Sequence, residues 1–168
     1  MTYQSSDNLI IPAPERPSMI AGYGISAETD GLLEWSWLAE RFADARNYWV
    51  ASSRSNGGPH VMPVWGVWVA DRLVFATDAD SVKGRNLTSD PRVVVHTGSG
   101  DEMALIEGRA EPIPLGALAA ADSAYLAKYG MTMTAAGDPL ILRIQPVKAL
   151  AWREKDFPIS ATRWRFPT

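Results

Sequence analysis

The segment Thr77-Asp78-Ala79-Asp80-Ser81-Val82-Lys83-Gly84-Arg85-Asn86 gathers groups that hold anions. Thr77 and Ser81 offer hydroxyls, and Lys83 and Arg85 are cations two residues apart. If a helix starts here, its first backbone N–H groups point outward without partners. Hydroxyls, cations and free amides together suit a phosphate or a carboxylate. Asp78 and Asp80 lower the local positive field, and the same residues also fit a solvated loop with a helix cap at Asp80 or Ser81. On the residues alone both readings stand.

A second stretch, Pro59-His60-Val61-Met62-Pro63-Val64-Trp65-Gly66-Val67-Trp68, has the alternation of a strand with a proline inside it. Proline removes a ladder hydrogen bond and is confined to edges and bulges. Backbone amides near Val64 and Trp65 are then free, and beside an apolar wall they suit the polar rim of a flat heterocycle. An edge strand with a bulge is the plainer alternative. Seven tryptophans, at 35, 37, 49, 65, 68, 152 and 164, are either core and interface anchors or such a wall. His60 and His96 are too far apart in sequence to suggest a metal site, and there is no cysteine. A Gly-x-Ser-x-Gly elbow, a Walker A loop and a Gly-x-Gly-x-x-Gly turn are all missing. No residue is singled out as catalytic.

These groups need a scaffold. Pro12, Pro14 and Pro17 forbid a long helix before residue 30, so residues 1–29 read as an extended arm lying on the domain or on a second subunit. Asp30 can cap a helix over 31–45 with Leu33/Trp37 and Leu38/Phe42 on its apolar side. From residue 47 the period becomes strand-like. Strands are expected at 47–54, 60–69, 72–77, 92–97, 102–113, 140–145 and 147–153, with Asn56-Gly57 turning the first hairpin. Helices are expected at 82–89 and 115–129, and a loop at 130–138. Short turns without crossovers make the sheet antiparallel. The reading is a single domain over 30–168: mainly β with flanking helices, a small barrel of six to seven strands.

The 168 residues carry a net charge of −3, so no basic footprint for nucleic acid is present. No apolar run has the length of a membrane helix, and the N-terminus lacks the pattern of a signal peptide. A cytoplasmic protein is expected.

The motifs Tyr-Trp-Val-Ala-Ser from Tyr48, Gly-Pro-His-Val-Met-Pro-Val-Trp-Gly to Gly66, Phe-Ala-Thr to Thr77, Ser81-Val-Lys-Gly-Arg-Asn-Leu87, Asp90-Pro-Arg-Val-Val-Val-His96 and Ile106-Glu-Gly-Arg109 resemble the pyridoxamine 5′-phosphate oxidase-like superfamily of flavin-binding split β-barrels. Within it they are most similar to the actinobacterial flavin/deazaflavin oxidoreductase branch. The resemblance implies an antiparallel split β-barrel and a homodimer with its cofactor at the subunit interface. It also implies hydride transfer with a small-molecule substrate. Thr77, Ser81 and Lys83, with Arg85 and Asn86, fall where the family holds the cofactor's phosphate. Met62, Pro63, Val64 and Trp65 fall along the flavin ring, and Trp164 or Trp152 would close the site from the partner. The family's true oxidases carry an Arg and a Lys on the second strand, at positions that are Val61 and Gly66 here. Their Arg-x-His near the end is replaced by Arg163-Trp164-Arg165. This pattern implies the deazaflavin F420 as cofactor, its longer tail running past Arg54 and Arg85, with FMN second. A non-enzymatic flavin or haem binder is the other class that fits.

Overall fold

Along Tyr48–Ser53 (β1) every second side chain is buried, as a half-covered strand requires. The computed structural model describes residues 8–135 and 137–167. Residues 1–7 of the expected arm and residue 136 of the expected loop lie outside them. After β1 come Pro59–Val64 (β2), Gly66–Val69 (β3), Arg72–Thr77 (β4), Arg92–His96 (β5), Glu102–Pro112 (β6), Leu140–Arg153 (β7) and Thr162–Arg165 (β8). The helices are Trp35–Asp44 (α1), Val82–Ser89 (α2), Leu115–Tyr129 (α3) and the single turn Phe157–Ser160 (α4). All strand pairs are antiparallel, in the order β2-β1-β5-β6-β7-β4-β3. β7 shares one edge between β4, beside its first residues, and β8, beside Lys148–Ala151. The sheet therefore curls into a half-barrel.

Leu38, Phe42, Tyr48, Val50, Phe75 and Trp164 are fully buried inside it. A smaller cluster, Val67, Val74, Ala121, Tyr125 and Met133, seats α3 on β3 and β4.

Four expectations change. The strand expected at 60–69 is two strands: β2 pairs with β1, the chain breaks at Trp65, and β3 pairs with β4. The tip of α3 holds this break. Tyr129 Oη accepts from Gly66 N (3.1 Å), and its one proton is shared between the carbonyls of Arg46 (2.6 Å) and Gly66 (2.9 Å). Lys128 Nζ donates to Ala45 O (2.6 Å), Tyr48 Oη (2.9 Å) and Gly66 O (3.1 Å). Conversely, the two strands expected around Pro146 are one. Pairing slips between Glu107 and Gly108, so that Gly108 faces Pro146 and Val147 bulges out, which absorbs the missing donor. A side chain at Gly108 would overlap Gln145 O.

The first helix starts at Trp35 rather than 31, without a side-chain cap. The residues before it are held in a turn and a short non-helical stretch: Arg16 donates to Asp30 O (2.6 Å), Leu32 N donates to Thr29 O (3.2 Å) with Gly31 at φ +80°, and Leu33 N donates to Thr162 Oγ1 (2.8 Å). Finally, the tail adds an eighth strand, β8. The arm lies back on this strand through a bridge between Glu15 and Arg163. Arg16 also donates to the carbonyls of Glu28, Ile159 and Ala161, tying arm to tail.

Gly66→Ala tests the break. A Cβ there would sit 2.7 Å from Val74 O and 3.0 Å from Leu73 Cδ1. The variant should lose about 1–3 kcal/mol of stability, the usual cost of overpacking, in urea unfolding.

Candidate functional site

α2 forms where its sequence places it, and Ser81 is its cap. Ser81 Oγ accepts from Gly84 N (2.9 Å) and lies 3.1 Å from Thr77 Oγ1 in a hydroxyl pair. Thr77 closes β4, so the hydroxyl pair joins strand end to helix start. The turn between them is tight. A side chain at Gly84 would overlap Asp78 O and sit 2.6 Å from Ala79 O. Glycine is therefore required for α2 to begin so close to β4. The far end of α2 is pinned by Asp90, whose carboxylate accepts from Arg92 Nη2 (2.6 Å) and is held at a pKa of about 2 by that guanidinium.

Lys83 is half-buried and makes no hydrogen bond or ion pair among the described residues. Burial pushes its ammonium below the ordinary lysine value. A half-buried cation without a counter-ion is costly, and an external anion relieves that cost. Asn86, one turn on, is buried and donates to Ser52 Oγ of β1 (3.1 Å). Across the hairpin Ser52 pairs with His60. His60 Nδ1 is buried without a partner. Burial first, then the charges of Arg54 and Lys83, hold the imidazole below its ordinary value.

Arg54 and Arg85, 31 positions apart, line one cleft of about 400 Å³ with Ser55, Asn56, Val82, Asn86 and Ser89. Arg85 donates to Asp80 O, and neither guanidinium forms an ion pair among the described residues. The acids of the same segment, with Thr77, line a different cleft. Asp78 and Asp80 line a separate cleft of about 530 Å³ with Tyr125, Met131 and Asp138. Asp78 Oδ1 also accepts from Asp80 N (2.7 Å).

The residues expected along a ring diverge. Val64 is buried in the core, while Met62 is 48% exposed on β2, which has a strand neighbour on one side only. Pro63 lies on the opposite face from Met62 and Val64, paired with Trp49. Trp65, in the break, stacks on Tyr129 at 4.7 Å and 3°, with Arg46 5.7 Å from both rings. Trp164 is not at the site: it is fully buried in this chain's core, edge-on to Trp35 at 5.4 Å. Trp152 packs edge-on to Phe157. Of the expected anion-site residues, Arg85 and Asn86 share a cleft with Arg54, Asn86 reaches Ser52 and so the strand pair that carries His60, and Thr77, bonded to Ser81, lines the other cleft with Asp78 and Asp80. His60 was legible in principle, since the turn at Asn56-Gly57 sets the register that pairs it with Ser52.

The sequence profile for pyridoxamine 5′-phosphate oxidase matches residues 38–153. Among solved structures, a conserved hypothetical protein from Mycobacterium tuberculosis superposes with a TM-score of 0.65 at 21% identity, covering 77% of this chain and 91% of that one. A haem-binding protein from Mycobacterium smegmatis gives 0.57 at 19%, covering 76% and 61%. A haem storage protein from Vibrio cholerae gives 0.55 at 14%, covering 64% and 85%. At these identities the likeness is one of fold. No curated protein matches the chain.

Gly84→Ala should displace the 78–84 turn and cost about 1–3 kcal/mol or more, because backbone rather than a flexible side chain is in the way. Urea unfolding gives the loss, and faster amide exchange at Ser81–Arg85 gives its location.

Proposed function

The chain belongs to the pyridoxamine 5′-phosphate oxidase family, and on that premise we propose that it is an oxidoreductase transferring hydride between the deazaflavin F420 and a small organic substrate. When bound, the reduced deazaflavin supplies the hydride. The chain's own residues bind and orient it. Lys83 holds the tail's phosphate, with the Thr77 and Ser81 hydroxyls beside it. Arg54 and Arg85 receive the carboxylates further along the tail. The free edge of β2 meets the rim of the ring.

The observation that carries this reading is the uncompensated cation at Lys83, with the Arg54–Arg85 cleft beside it. Three further features support F420 over FMN, whose compact phosphate wants several fixed cations close around it. Val61 pairs with Ala51 on the face opposite His60. Gly66 has no room even for a Cβ. The cation nearest that point, Lys128, spends its donors on Ala45, Tyr48 and Gly66. Vitamin B6 chemistry is unsupported as well, because Arg163 and Arg165 are both paired with Glu15, at 2.8 and 2.9 Å.

The reading includes a homodimer. Trp49 (38% exposed), Val61 (46%) and Pro63 lie side by side on the outer face of β1 and β2, an apolar patch that a second copy would cover. Light scattering at micromolar concentration should give twice the chain mass, and a monomer would remove this part of the reading.

Titrating the apoprotein with F420 and with FMN tests the cofactor. F420 should bind more tightly, and Lys83→Ala should weaken it by about 1.5–3 kcal/mol, roughly ten- to hundredfold. Tight FMN binding without F420 binding would move the protein to FMN. Two neighbours of this fold bind or store haem. A Soret band on the material as purified, with neither flavin nor F420 bound, would favour the binder class.

A further inference from the structure

We propose that His60 is a proton-linked member of the anion site, taking up a proton when an anion binds beside Lys83 and then serving as an added cation. This rests on the reading of Lys83 as an anion anchor.

The placement is built from the register. Ser52 and His60 face each other across the β1–β2 hairpin and point to the same side of it. On that side Ser52 Oγ is held by Asn86 of α2. Lys83 lies three residues before Asn86 and so on the same face of the helix. α2 therefore brings Lys83 over the end of β2 where His60 stands. The charges that act on His60 among the described residues are Arg54, from the end of the hairpin's first strand, and Lys83, from α2. Ser52, its cross-strand partner, and Asn86 are neutral. Nδ1 is buried and unpartnered, a state that buried ring nitrogens seldom keep without a ligand.

In the free protein burial, and then the two cations, disfavour the imidazolium and hold its pKa below the ordinary histidine value. An anion seated between Lys83 and Arg54 reverses that field and favours the imidazolium. Coupling is reciprocal: if the anion raises the affinity of His60 for a proton, the proton raises the affinity for the anion by the same factor. Anion binding should therefore tighten as pH falls through the histidine range. The sign follows from proton uptake on binding.

The probe is inorganic sulfate, a dianion throughout that range, followed by NMR of the two histidine rings and the Lys83 side chain. Without sulfate, His60 should titrate below the ordinary histidine value. With saturating sulfate its midpoint should move up. Sulfate affinity should rise by up to about tenfold per pH unit between the two midpoints. In His60→Gln that dependence should vanish, with binding at high pH retained. Sulfate shifts at Lys83 with an unmoved His60 midpoint would overturn the role of His60 and leave the anion anchor standing. A His60→Gln variant that keeps the full pH dependence would overturn that role equally. No sulfate binding at any pH would overturn the anchor and this proposal with it. The wild-type titration stands even if the variant fails to fold.

Discussion

The half-barrel depends on one break in one strand. After Val64 the chain leaves β1, and from Gly66 it runs along β4. A strand cannot change partners without freeing backbone donors and acceptors, and buried ones must be paired. Here Tyr129 and Lys128, more than sixty positions away, bond both the N–H and the C=O of Gly66. The lysine is half-buried and its three bonds go to oxygens of uncharged groups, two of them carbonyls. Tyr48, which takes one of those bonds, donates its own proton to Phe42 O and is raised far above the ordinary tyrosine range, chiefly by burial. The break thus fastens α1, β1, β3 and α3 at a single point. It also leaves β2 as an edge strand, with His60 across from Ser52, the β1 residue that α2 holds through Asn86.

That arrangement marks what could be read from the chain and what could not. α2 and α3 have the expected bounds, because a proline follows one at Pro91 and the left-handed Gly130 ends the other. β1, β4, β5 and β6 are within a residue or two of their patterns. These signals are local. The break at Trp65 is not, since Pro63 suggested an irregular ladder but only Tyr129 and the tight contact of Gly66 with β4 decide where the strand ends. Pro146 misled in the opposite direction, because a bulge facing Gly108 lets one strand run through it. Asp30 had the right chemistry for a cap, yet its carbonyl is taken by Arg16 and the helix begins later.

The site divides in the same way. Thr77, Ser81 and Lys83 are within seven positions, so a short motif could carry them. The pairing of Arg54 with Arg85 needs the hairpin and α2 to lie together, and Asn86–Ser52 is the bond that joins them. Trp164 shows the limit of placing a residue by its sequence position alone. A tail tryptophan can close a neighbour's site or fill its own core, and β8 pairing with β7 turns this one inward.

Where charge sits in the fold matters more than how much of it the chain carries. A chain with a net charge of −3 does not attract anions by its overall field. Much of its positive charge is also spent: Arg41 on Glu102, Arg143 on Glu111, Lys148 on Glu107, Arg153 on Asp156, Arg163 and Arg165 on Glu15. Asp78 and Asp80 stood against an anion site when read along the sequence. In the fold they line the cleft beneath α3, while Arg54 and Arg85 line the one beside α2. The tight turn over 78–81, against which Gly84 of α2 packs, is where the chain passes from the residues of one cleft to those of the other. The positive field at Lys83 is therefore local, made by geometry rather than by composition. On the proposed reading, a ligand held there would be selected by where its negative groups lie, which is the argument for a long anionic tail over a single compact charge.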